Sequence, residues 1–349
     1  MNTPPISAGR SHGPAHRPRV ALAMQDKELR DALFSDRLRR RLDAIGHCDY
    51  DLVIQDFDAV PQTTLEGIEV LLTGWFCPRI DEAALDRMPA LRLIAHAGGT
   101  VKDHVHPEAW ERGIAVTNAV LANAIPVAEF SLAQILLAGK STLGAASLYR
   151  ERQDRIDREL EFPDAGNYEK TVGIVGASTI GRLVLEHLKN FDLEVVLFDP
   201  TIGPDEAQRL GARKVSLTEL MRLSDVVSLH APVLPSTVGM IGRDELAAMP
   251  NGSTLINTAR GALVDHTALR EELLSGRLNA FLDVTEPEPL PPGDPLYRLP
   301  NVFLTPHIAG SMGTELHRMT EFALAEIERF AAGAAPRYPV SWEGLATRA

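Results

Sequence analysis

The chain has 349 residues, about two domains' worth, of which 45% are hydrophobic and 23% charged, a balance that sustains cores without covalent staples. The formal net charge of -12 argues against a polyanionic partner such as nucleic acid, yet allows a small anion held by a single arginine. The two cysteines, Cys48 and Cys77, provide neither a disulfide framework nor a metal spacing, which fits a reducing, cytoplasmic setting with no structural metal. No apolar run approaches the length of a membrane span, so no membrane association is expected.

Residues 1–18 carry Pro4, Pro5, Gly9, Gly13, Pro14 and Pro18 and lack the apolar stretch of a signal peptide; a disordered tail is expected there. Short β-branched and apolar runs then predict strands at 19–24, 51–55, 69–74, 91–97 and 114–118. Helices fall between most of them, for example at 81–87 and 103–112. A longer helix is expected from Ile125 to Tyr149, with Pro126 in its first turn and Glu129 near the positive end of the dipole. A polar run at 150–160 closes this region, and 161–170 reads as a connecting loop. A second series follows, with strands at 171–176, 194–199, 225–231, 253–259, 279–285 and 301–307. Helices are expected at 179–190, 205–211, 218–223, 243–249 and 266–275. An amphipathic helix at 312–332 comes last and can pack back on the first series. Alternation of this kind predicts an α/β fold with mainly parallel sheets.

The segment "TVGIVGASTIGRLV" ends a strand and opens a helix. Gly176 and Gly181 occupy the first and third positions of the G-x-G-x-x-G dinucleotide fingerprint, and Ser178 replaces the second glycine. The first glycine allows the tight turn, the second a close approach to pyrophosphate, the third close packing of helix on strand. Serine is small and can itself donate to a phosphate. Asp199 ends the next strand 18 residues after Gly181, where a carboxylate accepts from ribose hydroxyls and repels a 2′-phosphate. NAD is therefore expected rather than NADP.

Open parallel sheets bind ligands at the carboxyl ends of their strands. Those ends carry Gly176, Asp199, His230, Arg260, Asp283 and His307. His230 reads equally well as a satisfied core histidine. Arg260, in the apolar setting "NTARGALVDH", offers a permanent fork-shaped cation that matches a carboxylate and polarises a neighbouring carbonyl. A hydride acceptor with a carboxylate beside a ketone is a 2-oxo acid. Its reduction also needs a proton donor, for which His307 in "LTPHIAG" is the candidate. Glu286 and Glu288, in the proline-rich "DVTEPEPLPPGDP", are both available to orient that imidazole, and a neighbouring carboxylate favours an imidazolium.

These motifs, together with "LHAPVLPSTVGMIG", resemble the D-isomer-specific 2-hydroxyacid dehydrogenase family over residues 65–335. The resemblance implies two Rossmann-like or flavodoxin-like parallel-sheet domains, a doubly wound NAD-binding domain inserted into a discontinuous substrate domain. The boundaries expected are 19–124 with 311–349 for the substrate domain, 125–150 for a hinge helix and 151–310 for the NAD-binding domain. Domain closure would then exclude water from hydride transfer. Arg260 matches the family's catalytic arginine, His307 its acid/base and Glu288, rather than Glu286, its glutamate. Asp283 matches the aspartate that holds the nicotinamide amide. Thr179 and Ile180 match pyrophosphate contacts and Asp199 the ribose contact, while Ala231, Pro232, Thr237, Thr258, Ala259 and Gly310 match other positions lining the cofactor. The family's carboxylate-binding G-x-G loop matches "HAGGTVKDH", where Gly98, Gly99 and Thr100 offer backbone donors but Thr100 replaces a glycine and Lys102 an aspartate. That departure, with Trp75 and Phe76 near the same rim, is compatible with a larger or unusual hydroxy acid. The resemblance also implies a homodimer. Two alternatives share the scaffold: a formate- or phosphite-type dehydrogenase, and a non-catalytic NAD(H)-sensing binding protein of the corepressor kind.

Overall fold

The computed structural model describes residues 16–345. Most of the expected N-terminal tail lies outside the described residues. The described chain forms two compact units, one holding residues up to Val120 and from Gly313 onward, the other Leu121–Met312.

The first unit is a five-stranded parallel sheet of β1 (Arg19–Ala23), β2 (His47–Ile54), β3 (Val70–Thr73), β4 (Leu93–His96) and β5 (Ala115–Asn118), in the order β2-β1-β3-β4-β5. This is a doubly wound order of the flavodoxin type. Strands β3 and β4 are buried at every position, and their sequences, VLLT and LIAH, are accordingly apolar up to the last residue. Edge strand β2 alternates exposed and half-buried residues over its first half. Helix Leu316–Ala331, near the end of the chain, packs on helix Asp36–Ile45 and on β4. Thr320 Oγ1 donates to the Leu33 carbonyl at 2.8 Å, and Arg41 grips Glu328 through two hydrogen bonds of 2.7 and 2.8 Å. The chain then returns to the sheet edge, where Val340 N donates to Val116 O at 2.8 Å.

The second unit is a seven-stranded parallel sheet: β6 (Thr171–Val175), β7 (Glu194–Phe198), β8 (Arg213–Lys214), β9 (Val226–Leu229), β10 (Thr254–Asn257), β11 (Asn279–Leu282) and β12 (Val302–Leu304). Its order is β12-β11-β10-β9-β6-β7-β8, the strand order of dinucleotide-binding folds with one strand added. The reversal of direction lies between β6 and β9, and its carboxyl end is the switch point where such folds hold ligands.

The single helix expected over 125–149 is two helices, Val120–Gly139 and Thr142–Arg152, separated by Ser141 in a left-handed conformation (φ 51°). The first begins five residues earlier than expected, so Pro126 is interior rather than in the first turn. Its first turns are held from outside: Asn123 Oδ1 accepts the Ser311 amide at 2.8 Å. This helix is also long and apolar enough to cross a membrane, contrary to the expectation that no such run exists. Its apolar surface has another use, since Ala128 and Ile135 pack against Val172, Ile174 and Val184 in the core of the unit.

Candidate active site

Parallel registry aligns Val175, Phe198, Leu229, Asn257, Leu282 and Leu304 in one row across the second sheet. The residues beyond that row form a single rim. Gly176, Asp199, His230 and Asp283 come immediately after it, and Arg260 and His307 each come three residues after it. β10 and β12, which carry Arg260 and His307, flank β11, whose exit loop carries Glu288.

The dinucleotide turn is built on backbone contact. Gly176 has φ +97°, and a Cβ there would lie 2.7 Å from the Ala231 amide nitrogen; one on Gly181 would lie 2.1 Å from the Gly176 carbonyl oxygen. Both positions therefore require glycine. Ser178 does not, because its φ is -62°; its hydroxyl caps the helix Thr179–Leu188 by accepting from Gly181 N at 3.3 Å. Thr179 and Ile180 open the helix, where amides have no intrahelical partner and face an anion favourably. Asp199 binds the same turn. It accepts from Ala177 N at 2.8 Å and from Thr201 N and Oγ1 at 2.8 and 2.7 Å. Burial opposes its ionisation, but those hydrogen bonds and the nearby Arg182 charge outweigh it and hold the carboxyl below its usual range. These glycines, the open helix start and the anchored acid fit a dinucleotide.

His230 is buried at 3% exposure and its Nε2 lies 2.9 Å from Ser228 Oγ. Burial lowers its pKa to about 3, so it is neutral. Of its two sequence readings, the satisfied core histidine fits. Beside it, Thr237 Oγ1 donates to the Pro232 carbonyl at 2.6 Å and accepts from Leu234 N at 2.8 Å, closing the 232–237 loop after Ala231. Thr258 is buried against Ser131, with their hydroxyls 2.8 Å apart.

Asn257, fully buried, brackets the arginine turn. Its Oδ1 accepts from Ala259 N at 3.0 Å and its Nδ2 donates to Arg260 O at 2.9 Å. Arg260 is exposed, donates one hydrogen bond to Ala259 O at 2.6 Å, and forms no ion pair among the described residues. A Cβ on Gly261 would lie 2.1 Å from Thr285 O, so glycine here lets the arginine turn touch the loop that carries Glu288.

Glu288 Oε1 lies 2.7 Å from His307 Nδ1; of the two candidate acids, Glu288 makes the contact. A carboxylate only accepts, so the proton in this contact belongs to Nδ1 and Nε2 is left for chemistry. His307 has φ +57°, unusual outside glycine, and its strained turn is fixed by Asp283. The Asp283 carboxylate, 2% exposed, accepts from Thr305 Oγ1 at 2.6 Å, Ile308 N at 2.8 Å and Ala309 N at 2.9 Å, while its backbone carbonyl accepts from His307 N at 3.0 Å. Gly310 follows, with space for a Cβ limited by Asn123 Oδ1 at 3.1 Å.

Gly98, Gly99 and Thr100 belong to the other unit, just past β4. Their amides donate to nothing among the described residues, leaving three successive N–H groups of the kind that cradles an anion. A Cβ on Gly98 would lie 2.2 Å from His96 Nε2. His96 is buried, its Nδ1 2.8 Å from Thr73 Oγ1 and its ring 4.6 Å from that of His104. Burial, with the His104 ring beside it, pushes its pKa well down. Sequence reading missed His96; a histidine at a strand end, two residues before the Gly98–Gly99 pair, was the available signal.

Residues 132–309 match the model of the D-isomer specific 2-hydroxyacid dehydrogenase NAD-binding domain. The chain belongs to this family. As an NAD-dependent dehydrogenase of that family, it is 34% identical over 271 residues to the glyoxylate reductase of Korarchaeum cryptofilum, covering 77% of this chain and 82% of that one. The crystal structure of the TT0316 protein from Thermus thermophilus superposes with a TM-score of 0.69 at 36% identity, over 93% of this chain and 100% of that one. The NAD complex of a D-isomer specific 2-hydroxyacid dehydrogenase from Lactobacillus delbrueckii shares the fold, with a TM-score of 0.74 at 22% identity over 93% and 100% of the chains. The dehydrogenase's cofactor is NAD.

Proposed function

We propose that this dehydrogenase interconverts 2-oxo acids and D-2-hydroxy acids, with Arg260, His307 and Glu288 as its catalytic set. The observation that carries the reading is the 2.7 Å Glu288–His307 contact, held on a turn clamped by Asp283 at the same height beyond the sheet as Arg260. NAD, when bound, supplies or accepts the hydride. Gly176, Ser178, Thr179, Ile180 and Gly181 would hold its pyrophosphate, Asp199 its ribose, and Ala231, Pro232, Thr237, Thr258, Ala259, Asp283 and Gly310 would line the remainder. Arg260 binds the substrate carboxylate and polarises the carbonyl with its unpaired fork. The amides of Gly98, Gly99 and Thr100 share the carboxylate charge. His307 gives the proton from Nε2 to the carbonyl oxygen, while Glu288 stabilises the charged imidazole and holds the ring. In the reverse direction the same imidazole takes the hydroxyl proton.

A cytoplasmic homodimer completes the proposal. Helix Thr142–Arg152 buries none of its residues, and Tyr149, Leu160 and Tyr168 stand 63%, 75% and 71% exposed nearby in the chain. A second copy is the occupant we assign to this apolar surface.

The test is a panel of 2-oxo acids with NADH, followed at 340 nm, beside formate and phosphite with NAD. Oxidation of NADH by 2-oxo acids is expected. Turnover with formate or phosphite alone, or tight NADH binding without turnover on any acid, would contradict the proposal.

A further inference from the structure

We infer that Glu206 is a specificity-determining residue for the cofactor: it ties down Arg182, the one arginine placed to receive a 2′-phosphate beside Asp199. The inference rests on the proposed ribose contact at Asp199 and concerns two side chains that take no part in the proposed chemistry.

Three charged side chains meet behind the dinucleotide turn. Asp199 stands just past β7, Arg182 near the start of the helix Thr179–Leu188, and Glu206 in the short helix Pro204–Arg209. Ala177 joins the first two. Its amide donates to Asp199 Oδ2 at 2.8 Å, and its carbonyl accepts from Arg182 Nε at 3.0 Å. The two ends of one residue are about 3.5 Å apart, so carboxylate and guanidinium are neighbours. Against burial, the hydrogen bonds from Thr201 and Ala177 and the Arg182 charge together hold the Asp199 carboxyl below its usual range. Arg182 Nη2 in turn donates to Glu206 Oε1 at 2.7 Å.

Asp199 has little capacity left. Its Oδ1 accepts from both the amide and the hydroxyl of Thr201, and its Oδ2 from Ala177 N. A carboxylate offers about four acceptor positions, which leaves about one for a ribose hydroxyl. A 2′-phosphate replaces that hydroxyl proton with about two negative charges. Repulsion by Asp199 is not enough to exclude it, because a free arginine fork alongside matches phosphate bidentately, and dinucleotide folds accept NADP in this way. The segment after Asp199, "PTIG", holds no arginine. Arg182 reaches the same place from the preceding helix, with its side chain 42% exposed. Glu206 takes one edge of the fork and cancels its charge. Asp199, Arg182 and Glu206 then leave a net negative charge, and exposed Asp205 in the same helical turn as Glu206 adds to it. Removal of the Glu206 carboxylate frees Nη2 and turns the corner toward anions.

The experiment measures binding at equilibrium by fluorescence, with NADH titrated directly and NADPH by displacement of NADH. It compares the wild type with Glu206→Gln, Glu206→Ala, Glu206→Ala combined with Arg182→Ala, and Asp199→Ala. The wild type is expected to bind NADH more tightly. Glu206→Ala should raise NADPH affinity relative to NADH about 10- to 100-fold, the scale of a hydrogen bond to a charged group. Glu206→Gln should move the ratio the same way by less. The double variant should lose all but about threefold of the gain, because the gain belongs to the guanidinium and not to relief of repulsion. Exposed ion pairs contribute little to stability, so both single Glu206 variants should melt near wild type. A ratio within about twofold of wild type in both, a gain that survives loss of Arg182, or a wild type that prefers NADPH would each overturn the inference. A shifted ratio in Asp199→Ala with none in the Glu206 variants overturns this inference alone. No shift in any variant removes the ribose contact at Asp199, and this inference with it.

Discussion

Removing the Asp283 carboxylate is the perturbation whose size follows most directly from the structure. Asp283→Ala takes away one acceptor group and strands three donors: Thr305 Oγ1, Ile308 N and Ala309 N. They do not lose equally. Ala309 is 3% exposed, so its amide keeps no partner and carries the full desolvation cost of about 1–3 kcal/mol. Thr305 and Ile308 are only partly buried and can turn to water, each losing about 0.5–1.5 kcal/mol. Removing a buried charge recovers part of this, and the expected net destabilisation is about 2–5 kcal/mol. The catalytic effect arises separately. His307 occupies a positive-φ turn that these bonds hold, and displacement of a catalytic group by about an ångström costs on the order of 100-fold in rate. Denaturant unfolding monitored by circular dichroism gives the first quantity. Steady-state turnover at a temperature where the variant is fully folded gives the second. Stability within about 1 kcal/mol of wild type, with turnover within threefold, would refute the view that Asp283 organises the histidine turn.

Substituting His307 by alanine should lower turnover about 10²- to 10⁴-fold with NADH affinity nearly unchanged by fluorescence titration; near-normal turnover would remove it as the proton donor. Asp199→Ala should weaken the preference for NAD over NADP, read as the ratio of kcat/KM values, and it should also loosen the turn at Ala177. An unchanged ratio would place the ribose elsewhere. His230 affects acid stability. Its folded pKa is about 3, below the unfolded value near 6.5, so the native state resists a proton that the unfolded chain takes up. Its stability contribution is complete above about pH 6.5 and is lost as pH falls from there toward about 3, by up to about 1.4 kcal/mol per pH unit. His230→Gln should flatten that acid limb in unfolding free energies measured across pH, and an unaltered slope would contradict the burial argument.

How far the sequence reaches depends on the range of the interactions involved. The central strands were legible because burial on two faces favours short runs of apolar and β-branched residues, as in "VLLT" at Val70–Thr73 and "TLIN" at Thr254–Asn257. Strand β8 was not, since two residues, Arg213 and Lys214, make no pattern. The dinucleotide turn was legible because glycine reports a local backbone need at Gly176. The break at Ser141 and the early start at Val120 depend on tertiary support that no local signal announces. The same holds within the site. Arg260 and His307 stand out by residue type, whereas the choice of Glu288 over Glu286 from the residues alone stayed open until the loop could be followed to the imidazole. Asp283 as clamp, Asn257 as bracket and His96 beneath Gly98 are visible only once distant segments meet.

Isotope transfer measures the central chemistry directly. NADH deuterated at the transferable position, a 2-oxo acid and the enzyme should yield a 2-hydroxy acid with one deuterium at C2, of D configuration by chiral chromatography, with no label in solvent. Product lacking deuterium, or of L or racemic configuration, would contradict the assignment of Arg260 and His307 to a single carbonyl beside the cofactor.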